Sequence, residues 1–350
     1  MAATSRITIP DLEDVSTRIL AAAGLPEDQA RIVSQVLVFA DARRVWSHGV
    51  FRLDSYVGRI LAGGVNTNPQ VSIETLAPSL LRVWGDHGMG HVVTMRATEA
   101  AMAAARATGI ALAAVTGSGH FGMASAYSRR AAEEGFIGIV WTTTSATLAP
   151  WGSKEPLLGN NPIAFSLPVQ GGWPITLDMA LSTVAGGKIH IAAQRGEPIP
   201  LGWALDSEGN ETTDAKAALA GTLFPIGGYK GSGLSIVTEM MAAGLTRGQF
   251  AFQAPDLWRN PGEKQSSSHV LLVVDVERFL PLDEFSAWIG QLAERVRGSA
   301  RRPGFDRVFL PGEPEEEAAA EAQRHGIDLP DTSRQAVRKA AAKAGIDCDL

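Results

Sequence analysis

A serine hydroxyl, an imidazole, a guanidinium and a phenol fall within ten consecutive positions of this chain, at Ser47, His48, Arg52 and Tyr56. The planar donor fork of an arginine matches a carboxylate, and a histidine titrates near neutrality and can pass a proton. If the segment after Gly49 is helical, Arg52 and Tyr56 stand four apart on one face. His48 then sits one turn earlier, at the helix N-terminus. The set suits holding a small anion while a proton moves on the atom beside it. The same residues also suit a capped helix with a solvated face, so the spacing alone does not decide.

The elements that must position this stretch can be read from periodicity. Asp11 is expected to cap a first helix with Leu12, Val15, Ile19 and Leu20 inward, closed by Gly24-Leu25-Pro26. A second helix over 27–44 carries an apolar stripe of Ile32, Val33, Val36, Leu37 and Ala40 and delivers the chain to His48. A third runs to about Leu61 and stops at Gly63-Gly64. Residues 65–78 read as a crossing loop and 80–84 as a short strand. A helix over 94–107, a strand over 110–116, a helix over 123–134 and a strand over 136–142 come next. After a loop over 143–161, short strands over 163–167 and 175–177 lead into Asp178. A glycine-rich turn from Gly227 opens a helix to about Leu245, and 270–276 is a buried strand. A helix over 283–297 gathers Phe285, Trp288, Ile289, Leu292 and Val296 on one face. Two charged helices, over 313–324 and 332–343, read as a peripheral layer. Strands and helices do not alternate regularly, which points to an α+β class rather than a doubly wound sheet.

Composition narrows the function. The 350 residues are 45% hydrophobic, enough for a large core in one long domain or two. The net charge is −6 and the 31 Lys and Arg are scattered, which argues against a nucleic-acid partner and for a small molecule. The single cysteine, Cys348, provides neither a disulfide framework nor a cysteine metal site and fits a reducing cytoplasm. No basic start followed by an apolar run opens the chain, and no stretch approaches a membrane span, so neither export nor insertion is expected.

Gly117-x-Gly119-x-x-Gly122 matches the dinucleotide fingerprint and lies between a predicted strand and a predicted helix. A Rossmann unit would end its next strand in an acid for the ribose, but here the strand ends in Thr142-Thr143-Thr144. His120 is also an odd occupant of a turn that must meet a pyrophosphate. His87 and His91 lack the helix and the acid of a zinc motif, and no Gly-x-Ser-x-Gly elbow is present, so metal and serine-hydrolase chemistry are not expected.

Seven ordered stretches resemble one known pattern: Ser47-His48-Gly49-Val50-Phe51-Arg52; Gly117-Ser118-Gly119-His120-Phe121-Gly122; Ala149 to Glu155; Gly159-Asn160-Asn161-Pro162; Asp178-Met179-Ala180-Leu181-Ser182; Gly227-Gly228-Tyr229-Lys230-Gly231; and Leu310-Pro311-Gly312-Glu313. Together, over nearly the whole chain, they are similar to the malate/L-lactate dehydrogenase family, which is unrelated to the Rossmann-fold lactate dehydrogenases.

The resemblance implies an NAD(P)-dependent oxidoreductase with a non-Rossmann cofactor fold, a mixed and largely antiparallel sheet, a helical layer from both termini, and a homodimer. Residues 1–75 with about 280–350 would form the helical, dimerising and substrate-binding layer, and 76–280 the cofactor domain. His48 and His120 become the candidate acid and base, with Asp178 orienting one of them or keeping its pKa high enough to donate. Arg52, helped by Ser47 and Tyr56, would hold the substrate carboxylate. Thr144, Asp178-Met179-Ala180, Tyr229-Lys230 and Pro311-Gly312-Glu313 would contact NAD or NADP, with no metal. The expected reaction is the reversible reduction of a 2-oxo acid. Reduction of a cyclic 2-imino acid is the alternative, and a non-catalytic ligand-binding protein a remote one. Thr143 stands where the family often has asparagine, Asn160 where threonine is commoner, and Asp54 where proline often follows the arginine turn.

Overall fold

The computed structural model describes residues 6–257, 259–348 and 350. In chain order its helices are α1 (Ile9–Ala22), α2 (Glu27–Ala42), α3 (Leu53–Leu61), α4 (Gly90–Thr108), α5 (Ser125–Glu133), α6 (Gly186–Arg195), α7 (Ala215–Ala220), α8 (Tyr229–Thr246), α9 (Leu282–Arg297), α10 (Glu313–His325) and α11 (Asp331–Ala344). The strands are β1 (Ser72–Ala77), β2 (Leu80–Gly88), β3 (Ile110–Ser118), β4 (Phe136–Thr142), β5 (Ile163–Leu167), β6 (Ile175–Met179), β7 (Ala204–Leu205), β8 (Thr222–Leu223) and β9 (Ser267–Asp275).

One sheet of order β1-β2-β3-β9-β4-β5-β6 forms the centre, and β7 pairs with β8 in a small second sheet. In the large sheet only the β2–β3 pair is parallel. The class is therefore α+β, as expected. The sheet also shows why the glycine motif is no Rossmann fingerprint: β9 lies between β3 and β4 and runs antiparallel to both, so no parallel β-α-β unit surrounds Gly117–Gly122.

The faces of the sheet follow the period of two. Ala111, Ala113 and Val115 of β3 and Leu271 and Val273 of β9 share a core with α4 and α5. Thr116 and Ser268, on the alternate face, lie under α8, where Thr246 Oγ1 is 3.2 Å from Ser268 Oγ. A second core joins α1, α2, α3 and α11 through Leu12, Leu37, Leu53, Val57 and Val337. A third, small one packs α6 and α7 with Val184, Ile199 and Ala204.

Several sequence expectations need correction. Thr8, not Asp11, caps α1, accepting the Asp11 amide at 3.2 Å. The loop expected over 65–78 contains β1, an edge strand whose side chains are almost all exposed, so no inward alternation marks it. The α6–α7 and β7–β8 segment went unpredicted because its elements are too short to show a period. The terminal helices are less peripheral than their charge suggests: Val337, Ala340 and Ala341 of α11 are buried against the N-terminal helices. Glu316, in the first turn of α10, pairs with Arg43 and Arg129 and fixes that helix to α2 and α5. No helix of the described residues is long and apolar enough to cross a membrane.

Candidate active site

The His48 stretch is not one helix start but two 3₁₀ turns, Trp46–His48 and Val50–Arg52, wedged between α2 and α3. A buried carboxyl group shapes them. Asp41 Oδ2 accepts the Val50 amide at 2.7 Å, and a Cβ at Gly49 would lie 1.9 Å from Asp41 Oδ1, so that position has room only for glycine. The 3₁₀ turns present Ser47 and His48 on one side, with Ser47 Oγ 2.9 Å from His48 Nδ1. Arg52 Nε donates to the Ser47 carbonyl at 2.7 Å, which orients its guanidinium. Arg52 and Tyr56 do share a face, as the spacing predicts. Asp54 turns the other way, onto Lys343 Nζ of α11 at 2.7 Å, and so does not compete for the arginine.

The second histidine reaches this stretch from the sheet. From the end of β3 the chain turns through Gly117 and Gly122, both at positive φ, and His120 projects toward α3. Tyr56 Oη lies 2.7 Å from His120 Nδ1, and the Gly122 amide donates to the same nitrogen at 3.3 Å. An amide N–H can only donate, so Nδ1 carries the lone pair. The Tyr56 hydroxyl therefore donates as well, and the imidazole proton resides on Nε2. The His48 and His120 rings lie near parallel with centroids 6.0 Å apart.

The turn's own amides are used within the protein. Gly117 donates to Ser266 Oγ at 3.2 Å, His120 to Gln265 Oε1 at 3.2 Å and Gly122 to His120. Few donors remain for a pyrophosphate. The next residue, Phe121, is clamped between His269 and Tyr127, whose ring centroids lie 4.5 and 5.1 Å away. His269 itself bridges Thr142 Oγ1 at 2.6 Å and Ser118 Oγ at 2.9 Å. Asp41, Tyr127, Gln265 and His269 were not read as site residues from the sequence. A lone acid beside an apolar helical stripe was the available signal for Asp41; nothing local marks the others.

Electrostatics follow from burial. His48 is pulled down to about 4, first by burial and then by the Arg52 charge. His120 also lies well below the usual histidine range, by burial first and then by the neighbouring charged forms of His48 and Arg52. Burial raises Tyr56, with Arg52 and Arg59 pulling against it. At neutral pH the site thus holds two neutral imidazoles and a protonated phenol beside the two guanidiniums. His91, the other member of the His87/His91 pair, is a buried neutral ring edge-on to Tyr56 at 5.1 Å, with its pKa down to about 3 from burial. No group of three or more metal-ligating side chains occurs among the described residues.

The remaining candidates gather at the far edge of the sheet. Asp178 lies within β6 and accepts the Ser125 amide at 2.8 Å, at the start of α5. It bonds neither histidine, so the expected role of orienting an imidazole is not what this geometry provides. Burial raises its pKa, and the Ser125 bonds oppose that. Met179 and Ala180 continue from it, and Leu181 then donates to Asn160 at 2.7 Å and accepts from Ile226 at 2.9 Å. This brings the Asn160 and Gly227-Gly228 turns together, with Tyr229 and Lys230 at the exposed start of α8. Pro311 and Gly312 run along β6: Thr176 donates to the Pro311 carbonyl at 3.3 Å, and a Cβ on Gly312 would lie 2.5 Å from the Thr176 oxygen. Glu313 accepts from Leu310 at 2.8 Å and Arg297 at 3.1 Å. Thr144 Oγ1 donates to Asn160 Oδ1 at 2.9 Å, while Thr143 is taken up by Ser268 on β9.

These residues fit a dinucleotide better than the glycine turn does. The helix start at Tyr229, with Lys230, offers amides and a cation for phosphates, and Tyr229, 63% exposed, offers a face for a flat ring.

Comparison with known proteins identifies the family. A family model described as malate/L-lactate dehydrogenase matches residues 7–338. A malate dehydrogenase of Pyrococcus horikoshii is 40% identical over 305 residues, covering 85% of this chain and 83% of its own length. A (2R)-3-sulfolactate dehydrogenase (NADP+) of Chromohalobacter salexigens is 39% identical over 306 residues, covering 87% and 91%. Among solved structures, a sulfolactate dehydrogenase of Methanocaldococcus jannaschii superposes with a TM-score of 0.90 at 30% identity, covering 98% of each chain. The chain therefore belongs to the malate/L-lactate dehydrogenase family, whose dehydrogenases act on hydroxy acids.

Proposed function

We propose that the protein interconverts a 2-oxo acid and the corresponding 2-hydroxy acid with NAD or NADP in the crevice between α3 and the Gly117–Gly122 turn. The observation that carries this reading is the pair of donors on His120 Nδ1, which fixes an Nε2–H next to Arg52. A bound dihydronicotinamide supplies the hydride. Arg52 grips the substrate carboxylate, which orients the adjacent trigonal carbon and oxygen. His120 Nε2–H donates to that oxygen as negative charge develops. As Nε2 gives up its proton, Nδ1 takes the Tyr56 hydroxyl proton along the existing hydrogen bond. The imidazole stays neutral throughout, and the phenolate left behind sits in the field of Arg52 and Arg59. The reverse sequence serves oxidation. His48, held by Ser47, stacks beside His120. Asp178 acts through Ser125 on the start of α5 and on the cofactor edge.

The helical layer then carries the substrate groups, and the sheet edge at Asp178, Tyr229 and Pro311 holds the dinucleotide. A homodimer completes the assembly. The inward face of α8 is polar, with Ser232, Ser235, Thr238 and Glu239 buried, while Leu234, Val237, Met240 and Leu245 face outward. Such an inverted helix is suited to a second subunit. Sedimentation at low micromolar concentration is expected to give twice the 37.0 kDa chain mass, and a monomer would contradict it. The function itself is tested by following NADH and NADPH oxidation with a panel of 2-oxo acids and cyclic 2-imino acids. Reduction of the oxo acids, lost in His120→Ala, is expected; cofactor binding without any turnover would favour a non-catalytic protein.

A further inference from the structure

The inward face of α8 carries Ser232, Ser235 and Glu239 at helical spacing, and all three are buried, Glu239 to 4% exposure. They receive the backbone of the loop over 143–161. Ser232 Oγ accepts the Trp151 amide at 2.9 Å, and Ser235 Oγ donates to the Gly159 carbonyl at 3.1 Å. Glu239 reaches both ends of that loop. Its Oε1 accepts the Gly159 amide at 3.3 Å and Asn161 Nδ2 at 2.9 Å, and Asn161 Oδ1 in turn accepts the Thr144 amide at 3.2 Å. Its Oε2 accepts the Ala251 amide at 3.1 Å, and the Ala251 carbonyl accepts the Ala146 amide at 3.2 Å. Thr144 and Ala146 at one end of the loop and Gly159 and Asn161 at the other are thus tied to a single carboxyl group. Burial raises the Glu239 pKa, and the bonds from Asn161, Ala251 and Gly159 oppose that. All three donors are N–H groups, which suits the ionised form. The ends are also closely packed: a Cβ on Gly159 would lie 2.2 Å from Asn161 Oδ1 and 2.4 Å from Thr144 Oγ1, and Asn161 is held at a φ of +32°.

The course of the loop gives this tie a use. Thr142, just before it, bonds His269, and His269 bonds Ser118, two residues before His120. Asn160, near its other end, accepts the Leu181 amide beside Met179 and Ala180. The loop therefore lies between the proton-donating histidine and the sheet edge assigned above to the dinucleotide. A loop whose shape is fixed beforehand spares an incoming ligand the cost of ordering it.

We propose that Glu239 is a positioning residue for the cofactor: from α8 it holds both ends of the 143–161 loop in the shape that receives the nicotinamide dinucleotide, so that cofactor affinity depends on it while substrate-carboxylate affinity does not. This rests on the assignment of Thr144 and the start of α8 to the cofactor.

The test measures Kd for NADH and NADPH without substrate, from the fluorescence of the bound cofactor, and KM for a reduced 2-oxo acid at saturating cofactor, in the wild type, Glu239→Gln, Glu239→Asp and Ser235→Ala. Glu239→Gln keeps the size but turns one acceptor into an NH2 group facing an N–H donor, which releases one end of the loop. Its Kd for the preferred cofactor is expected to rise about tenfold or more, the scale of one hydrogen bond to a charged group, with KM for the 2-oxo acid within about threefold of wild type. Glu239→Asp, which keeps the charge on a shorter stem, and Ser235→Ala, which removes only the bonds to Gly159 and Asn161, are expected to fall between these values. A folded Glu239→Gln that binds cofactor as the wild type does overturns the proposal, and so does a parallel rise in cofactor Kd and 2-oxo acid KM; in both cases the oxidoreductase reading stands. If Glu239→Gln does not fold, Glu239→Asp and Ser235→Ala decide by the same two measurements. If the wild type binds neither NADH nor NADPH, the functional reading itself fails and the Glu239 proposal fails with it.

Discussion

Removing one oxygen atom from the site separates proton delivery from binding. Tyr56→Phe keeps the ring, its edge contact with His91 at 5.1 Å and the packing of α3, and deletes only the hydroxyl that lies 2.7 Å from His120 Nδ1. What remains on Nδ1 is the Gly122 amide at 3.3 Å, a longer bond that cannot give up its proton in turnover. Loss of a buried hydrogen bond of this kind costs about 1–2 kcal/mol, or roughly tenfold in rate. Loss of the proton source adds the general-acid contribution, about 100-fold or more. The expected outcome is therefore a fall in kcat of at least about 100-fold, with KM for the carboxylate substrate and for the cofactor changed by less than about threefold. Steady-state oxidation of NADH or NADPH, followed by its absorbance, gives both parameters, and single-turnover traces show whether the chemical step has slowed. A Tyr56→Phe enzyme with wild-type kcat would refute the relay. A raised KM at unchanged kcat would reassign Tyr56 to substrate binding.

Other perturbations separate the remaining roles. Arg52→Lys keeps the charge but loses the planar fork and the bond to the Ser47 carbonyl, and KM for the carboxylate substrate is expected to rise about tenfold or more; an unchanged KM would remove Arg52 from substrate binding. Asp41→Asn bears on pH. Burial pushes the Asp41 carboxyl up to about 8 against the bond from Val50, so between about pH 4 and 8 the native chain retains a proton that the unfolded chain releases, and wild-type stability falls as pH rises through this window. The asparagine, which keeps an acceptor for Val50, is expected to lose that slope in denaturant titrations at several pH values; a parallel curve would show that Asp41 is ionised in the fold. His48, His91 and His269, lowered to about 4, 3 and 3, act in the opposite sense: their neutral forms belong to the fold, and stability is expected to drop as pH falls from about 6.5 toward 3 in both proteins.

The sequence by itself determined the class of chemistry and most of the long elements. Apolar periodicity was enough for α1 and α2, whose stripes are largely buried, and for β4, whose alternate residues are buried, whereas α9 keeps the period yet leaves Trp288 and Leu292 exposed, at 73% and 67%. Motif order was enough for the family because those residues share one reaction. An absent acid also argued against a Rossmann unit, and the sheet, with β9 lying between β3 and β4, excluded it. What only the tertiary structure decided is which groups meet. Tyr56 and His120 are 64 positions apart and bond because β3 ends against α3, a proximity no local pattern encodes. The tautomer of His120 depends on a third group, the Gly122 amide, and so required coordinates. Asp178 was expected beside a histidine and instead caps the Ser125 amide, since its place on β6 is set by strand pairing. Arg59, which no local pattern singles out, is enclosed by the Gly64 and Glu263 carbonyls. Local propensity and periodicity report on a residue's own element; a buried charge is defined by the elements packed around it.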